Sequence, residues 1–503
     1  VPIDTPAWVR DAVFYQVFPD RFAASPRVAR PGPFEPWDAP PTNHGFKGGD
    51  LLGVAERLPY LEDLGITAIY LNPVFTSASN HRYHTDDYLA VDPLLGGDAA
   101  LRELLDAAHG RGMRVILDGV FNHTGRGFWP FHHIVENGLG SPYLDWYHVD
   151  RDRLAAGRGL EPYPNPHGHG HGGSLERLGY QAWWDLPALP KLNTDHPPVR
   201  EHLFAVAEHW LRFGADGWRL DVPLEIDDPD FWREFRRRCR AVRPDAYIVA
   251  EIWHETPEWL AGDTFDAVMN YPLAEAILGF TAGRHLDHGA IGFHDQYRDH
   301  VRRLDGAAFG TELERVMGLY DPAVTAVQLN LLGSHDTPRF RTMAGGDRDA
   351  VKLATLLQAS LPGAPCVYYG DEVGMEGGRD PGSRGAFPTD EAHRDHDLHA
   401  FTRAALHLRH AAPALRHGAL RIAGTAGDAI AIERADGAER WVVALNAGDE
   451  PIDLVASLPG AAGAWLDGRP LPGWSHPAAG RVGDDGTATL RLAPRSGIVA
   501  HVG

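Results

Sequence analysis

The sequence predicts an α/β fold, an eight-fold β/α barrel, from three observations. Eight short apolar segments rich in β-forming residues recur along the chain, helix-patterned stretches separate them, and several segments end in polar or acidic residues. The segments are Ala12–Phe18, Ala68–Val74, Arg114–Asn122, Gly217–Val222, Tyr247–Trp253, Ala267–Pro272, Val327–Ser334 and Ala364–Gly370. Between them, stretches such as LLGVAERLPYLEDLG, ALRELLDAAHGRG and VREHLFAVAEHWLRFG carry a helical period and have Gly or Pro at their ends. This alternation builds a parallel sheet, and eight repeats suggest a closed TIM barrel more than an open sheet.

The repeat breaks between the third segment and Leu189, where a span rich in His, Pro, Gly and aromatic residues replaces the expected helix. After about Ala411 the pattern changes to alternating strands without helices (ALRIAG, AIAIERA, ERWVVALNA, TATLRLA, GIVAHV), the mark of an antiparallel β-sandwich. The expected division is a barrel over 1–123 and 189–410, an inserted domain over 124–188 and a sandwich over 411–503.

A formal charge of −21 leaves no basic surface for phosphates, which argues against nucleic acid and anionic membranes as partners. No window approaches the ~18 unbroken apolar residues of a membrane helix. The chain starts at Val1 without a charged-then-apolar leader, so the compartment stays open. The basic run Arg233–Arg240 has a helical period and reads as a solvated helix face; Cys239 and Cys366 read as core thiols. Three histidines spaced by glycine, His167–His171, read as a solvated loop in preference to a metal site, because no Cys or paired carboxylate completes a tetrahedral set nearby.

In such a barrel the reacting groups stand at the C-terminal ends of the strands. Asp118, Asn122 and His123 end the third segment; Arg219, Asp221 and then Glu225 the fourth; Glu251, Trp253 and His254 the fifth; His335 and Asp336 the seventh. Carboxylates are seldom buried without partners, so their gathering at one rim points to chemistry. Arg219 and Asp221 are two apart on one strand and share a face, so the guanidinium is expected to keep Asp221 ionised as a nucleophile. Glu251, near the anions Asp221 and Asp336, is expected to keep its proton as a general acid. Two such carboxylates on one pocket suit glycoside hydrolysis. Trp253 shares the face of Glu251 and either stacks on a sugar or packs in the core.

These residues resemble the α-amylase family of glycoside hydrolases. DGVFNHTG (Asp118–Gly125), GWRLDVPLE (Gly217–Glu225), AEIWHE (Ala250–Glu255) and GSHDTPR (Gly333–Arg339) look like its four signature regions, in order and at the expected strand ends. The resemblance implies a retaining mechanism with Asp221 as nucleophile, Glu251 as acid/base and Asp336 as the third carboxylate. It also implies sugar contacts from Arg219, His123, His335, His81 and Tyr83, an outer Asp380–Arg384 pair, and a supporting role for Asp118. Within the family, LPKLN (Leu189–Asn193), Glu225 and the EIWH run resemble the neopullulanase, cyclomaltodextrinase and maltogenic amylase group.

Three departures from that group matter. Its N-terminal β-domain has no counterpart before Ala12, which suggests a monomer with an open cleft. The segment after Asp20–Phe22 reads AASPRVARPGP, poor in the oxygen ligands of calcium, although Asn122 could serve another calcium site between barrel and insertion. His84 stands where relatives usually have Asp or Trp. The expected activity is hydrolysis of α-1,4-glucosidic bonds in starch and maltooligosaccharides with release of maltose, and no cofactor is required for the chemistry. The alternatives are a cyclomaltodextrinase or neopullulanase acting on cyclodextrin or pullulan, an α-glucan transglycosylase, a non-catalytic glycan-binding barrel, and a metal hydrolase using His123, His254 and His335.

Overall fold

The computed structural model describes residues 3–165, 172–474 and 479–503, so His167–His171 lie outside the described residues. Eight parallel strands form the central sheet: β1 Phe14–Val17, β2 Ala68–Leu71, β3 Arg114–Gly119, β4 Gly217–Leu220, β5 Tyr247–Ala250, β6 Ala267–Val268, β7 Leu329–Leu331 and β8 Ala364–Tyr368. Seven neighbouring pairs follow chain order, with β8 on β1, and a parallel bridge from Met269 to Leu329 joins β6 to β7 and completes the ring. Each expected segment contains a strand, and each strand is shorter than its segment. The residues beyond the strand ends are loop residues, and they carry most of the site.

Strand interiors and inner helix faces share one core, in which Val115, Ile116, Trp218, Ile248 and Val249 are fully buried. Pro197–Phe213 shows how a helix is fitted: Pro occupies its first turn and Gly214 follows its last, while Val199, Leu203, Val206 and Trp210 form the buried stripe. Gly217 is required by close approach, since a Cβ there would lie 2.1 Å from the Tyr247 carbonyl oxygen, and this lets β4 and β5 carry Asp221 and Glu251 side by side.

The span after β3 is built from short helices, including Trp129–Asn137 and Arg151–Ala155, tied to the barrel by bridges His123–Lys191 and Tyr147–Leu192. Among the described residues the C-terminal region has eight strands where the sequence showed five. They are β9 Ala419–Ala426, β10 Ala429–Asp436, β11 Glu439–Asn446, β12 Ile452–Ser457, β13 Trp465–Arg469, β14 Ala479–Arg481, β15 Thr487–Leu492 and β16 Ser496–Val502. One antiparallel sheet runs β9-β10-β11-β16-β13-β14, and β12 pairs with β15 over a second apolar cluster of Val442, Ala444, Leu454 and Leu490.

Cys239 and Cys366 are buried free thiols, as expected. The basic run is only partly a solvated face: Arg233, Arg237 and Arg238 pair at the surface, but Arg236 turns inward to Asp266 at 2.6 Å. The helical period of Pro229–Val242 puts Arg236 on the same buried stripe as Phe235 and Cys239, where Asp266 compensates its charge.

Candidate active site

One buried guanidinium organises the acidic rim. Arg219, fully buried on β4, donates from Nη1 to Asp118 Oδ1 at 2.9 Å and to Asp221 Oδ1 at 3.1 Å, and its Nη2 lies 3.0 Å from Glu251 Oε2. The chain follows β4 with Asp221 and then Val222, whose φ of 36° is left-handed, a costly conformation for a β-branched residue. This turn aims the Val222 amide at Glu251 Oε2, 3.0 Å away, while Trp253 Nε1 donates to Glu251 Oε1 at 3.1 Å.

Three carboxylates around one buried cation cannot all be ionised at low cost. Burial first, and then the Glu251 charge, hold Asp221 well above the usual carboxylate range, against the pull of Arg219. Glu251 is raised as well, by burial first and by Asp336, with Arg219 acting in the opposite sense. Burial thus works against the ionised Asp221 expected from the sequence and with the protonated Glu251, while Arg219 favours the charged form of both.

A second layer fixes the sugar-facing groups. Asp118 Oδ2 accepts from the hydroxyls of Tyr70 (2.8 Å) and Tyr83 (2.7 Å). His335 takes a hydrogen bond on Nδ1 from Gln16 Nε2 at 2.9 Å, so its proton is on Nε2, 2.6 Å from the Tyr83 hydroxyl and 3.1 Å from Asp336. Burial first, and then Arg384, keep its imidazole neutral. Arg384 lies 3.1 Å from Asp336 and 3.2 Å from Asp380, so the expected outer pair also braces the third carboxylate. His81 accepts the Tyr83 amide on Nδ1 at 3.1 Å and packs edge-on against His84. His84 is lowered to about 4, first by burial and then by Arg126 and His44, so it stands neutral beside His81.

His123 is buried and lowered to about 3, by burial first; Asn122 Nδ2 lies 3.3 Å from its Nδ1, while its Nε2 has no partner among the described residues. Asn122 Oδ1 is likewise unmet. Among the described residues no group of three or more His, Cys, Asp or Glu could hold a metal ion.

Two expected binding residues stand apart from this cluster, and a third, Trp253, packs into it. Tyr271 and His294 stack on the Trp253 indole at centroid distances of 4.0 and 4.6 Å while its N–H meets Glu251. His254 is exposed and lines a neighbouring cavity of about 400 Å³ with Glu275, Gln296 and Arg315. Glu225 is exposed and reaches Lys191 at 3.2 Å. Sequence reasoning missed Gln16, Tyr70, Asn72 and Trp183. Gln16 and Asn72 carried a signal, as polar residues inside apolar strand segments, whereas Trp183, stacked on His123 at 5.1 Å, lies in an irregular span with no period to read.

A barrel whose rim gathers acidic groups on one arginine defines a class, the carboxylate-bearing barrel enzymes. The match of residues 16–407 to the alpha-amylase catalytic domain makes it specific: the chain belongs to the α-amylase family of glycoside hydrolases. It is 42% identical over 452 residues to a cyclomaltodextrinase of a Bacillus species, covering 88% of this chain and 75% of that one. Among solved structures it resembles Ttha1563 from Thermus thermophilus, with 48% identity, a TM-score of 0.89 and coverage of 99% and 100%. It also resembles the debranching enzyme from Nostoc punctiforme, with 43% identity, a TM-score of 0.85 and coverage of 99% and 100%. α-Glucan hydrolysis is supported by these relatives, and among the described residues no helix is long and apolar enough to cross a membrane.

Proposed function

We propose that the protein hydrolyses α-1,4-glucosidic bonds of maltooligosaccharides and starch with retention, releasing maltose. The observation that carries this is Arg219 holding one oxygen of Asp221 and one of Glu251 on its two terminal nitrogens. Retention needs two carboxyl groups about 5–5.5 Å apart, and a shared guanidinium suits that spacing better than the wider gap of an inverting pair.

Glu251 gives its proton to the departing glycosidic oxygen as Asp221 attacks the anomeric carbon. The C–O bond to the leaving sugar breaks, a glycosyl ester forms on Asp221, and Glu251 then takes a proton from the water that cleaves it. Asp336, braced by Arg384, and the N–H of neutral His335 hold sugar hydroxyls, as does the unmet Nε2 of His123. No cofactor takes part, so activity should survive exhaustive chelation, and loss of activity would reinstate a metal. The chain is expected to act as a monomer on α-glucan, with neither nucleic acid nor membrane as partner.

The likeness to a debranching enzyme favours a second reading, cleavage of α-1,6 bonds, and the likeness to a cyclomaltodextrinase favours ring opening. Incubation with soluble starch, pullulan, β-cyclodextrin and maltotriose, followed by separation of products, decides among them. Maltose from starch and maltotriose supports the first reading; preferential attack on pullulan or β-cyclodextrin replaces it; products longer than maltotriose indicate transfer.

A further inference from the structure

The rings of His123, Trp183 and Trp184 form a continuous stack that runs from the rim to the surface. His123 lies on Trp183 at 5.1 Å with 9° between planes, and Trp183 on Trp184 at 4.5 Å with 14°. The inner ring is 1% exposed and the outer ring 72%. Trp129, Tyr163 and Trp465 are also open to water, but Trp184 is continuous with the rim through Trp183.

The backbone is held to present it. Trp184 and Asp185 both take left-handed φ, 50° and 56°, which non-glycine residues rarely adopt. The turn is fixed by Trp183 N to Leu189 O at 2.9 Å, Leu186 N to Trp183 O at 3.0 Å, and Asp185 Oδ1 accepting the Ser174 amide at 2.6 Å. Trp183 Nε1 is buried with no partner among the described residues, as is His123 Nε2 beside it. The stack thus joins an apolar face to unmet donors, the combination that suits a sugar ring with its hydroxyls.

We propose that Trp184 is a stacking platform for a glucosyl unit of the α-glucan chain, beyond the unit that His123 contacts. This rests on the functional reading above and extends it to a preference for longer chains. Against maltoheptaose, Trp184→Ala should raise KM about tenfold with kcat within twofold, Trp184→Phe should recover most of the loss, and the rise on maltotriose should be at least fivefold smaller. An equal loss on both substrates, or an unchanged KM, would overturn the proposal. So would loss of a concentration-dependent dimer in the variant by sedimentation, which would make the patch a self-contact. Calorimetric titration of Asp221→Asn with maltoheptaose separates this from the activity claim. A Kd about tenfold weaker when Trp184→Ala is added upholds the platform even if the wild type hydrolyses nothing, and an unchanged Kd overturns it.

Discussion

Arg219 Nη2 lies 3.0 Å from Glu251 Oε2, while its Nη1 serves Asp118 and Asp221. Asp221, Glu251 and Asp118, proposed as nucleophile, acid/base and supporting aspartate, therefore respond to a single cation. A lysine offers one compact charge in place of a planar fork and cannot meet all three. Arg219→Lys should lower kcat by about 100-fold or more. Weaker compensation raises both carboxyl pKa values further, so the acid limb of kcat/KM against pH should move to higher pH. An unmoved limb would show that Arg219 does not set the pair.

Trp253 tests whether the indole acts on Glu251 or on sugar. Its N–H favours the ionised carboxylate, so Trp253→Phe, which keeps the stack on Tyr271 and His294, should raise the Glu251 pKa and lower kcat about tenfold with little change in KM. A large rise in KM with kcat preserved would restore the sugar-stacking role.

Asp216 tests the lower end of the barrel. It is fully buried and accepts from Arg114 and Arg243 at 2.8 and 2.6 Å and from the Val115 amide. Burial raises its pKa, but hydrogen bonds from His109, Arg114 and the Val115 amide and the charge of Arg243 outweigh this and leave it below the usual value. The folded state therefore binds its proton less readily than the unfolded chain. The resulting stability is present above the unfolded pKa and is lost as pH falls through the folded one. Asp216→Asn should cost about 3 kcal/mol at pH 7 by denaturant unfolding, and distinctly less at pH 3. An equal cost at both pH values would contradict this.

Glu275 has the opposite sign. Burial, its largest influence, raises its pKa to about 7, partly offset by the hydrogen bond from Gln296. The folded state then holds this proton more tightly than the unfolded chain, so the group's contribution turns unfavourable as pH rises from about 4.5 to 7. Glu275→Gln should raise Tm at pH 8 relative to wild type by more than at pH 5. A pH-independent difference would mean that the carboxyl is solvated.

The eight barrel strands were legible because their apolar runs alternate with amphipathic helices. The gathering of carboxylates at one rim was legible because Asp221, Glu251 and Asp336 follow such runs directly. The runs overstated strand length at Trp253 and Asn122, since apolar loop residues at a buried rim look like strand. Strands β12 to β14 went unseen: β12 alternates with Asp453 and an exposed Val455, and β13 and β14 are short and interrupted by glycine. The surroundings of Trp253 were not readable, because its stacking partners Tyr271 and His294 come from the starts of two later helices, Tyr271–Thr281 and Asp295–His300. The burial that raises both Asp221 and Glu251 was hidden for a related reason, since it is a property of the folded rim and not of residue spacing.

Attack by Asp221 on the anomeric carbon with proton donation by Glu251 retains the anomeric configuration. Proton NMR of the first sugar released from maltotriose should therefore show the α-anomer first, with mutarotation later, and initial release of the β-anomer would exclude a glycosyl ester on Asp221.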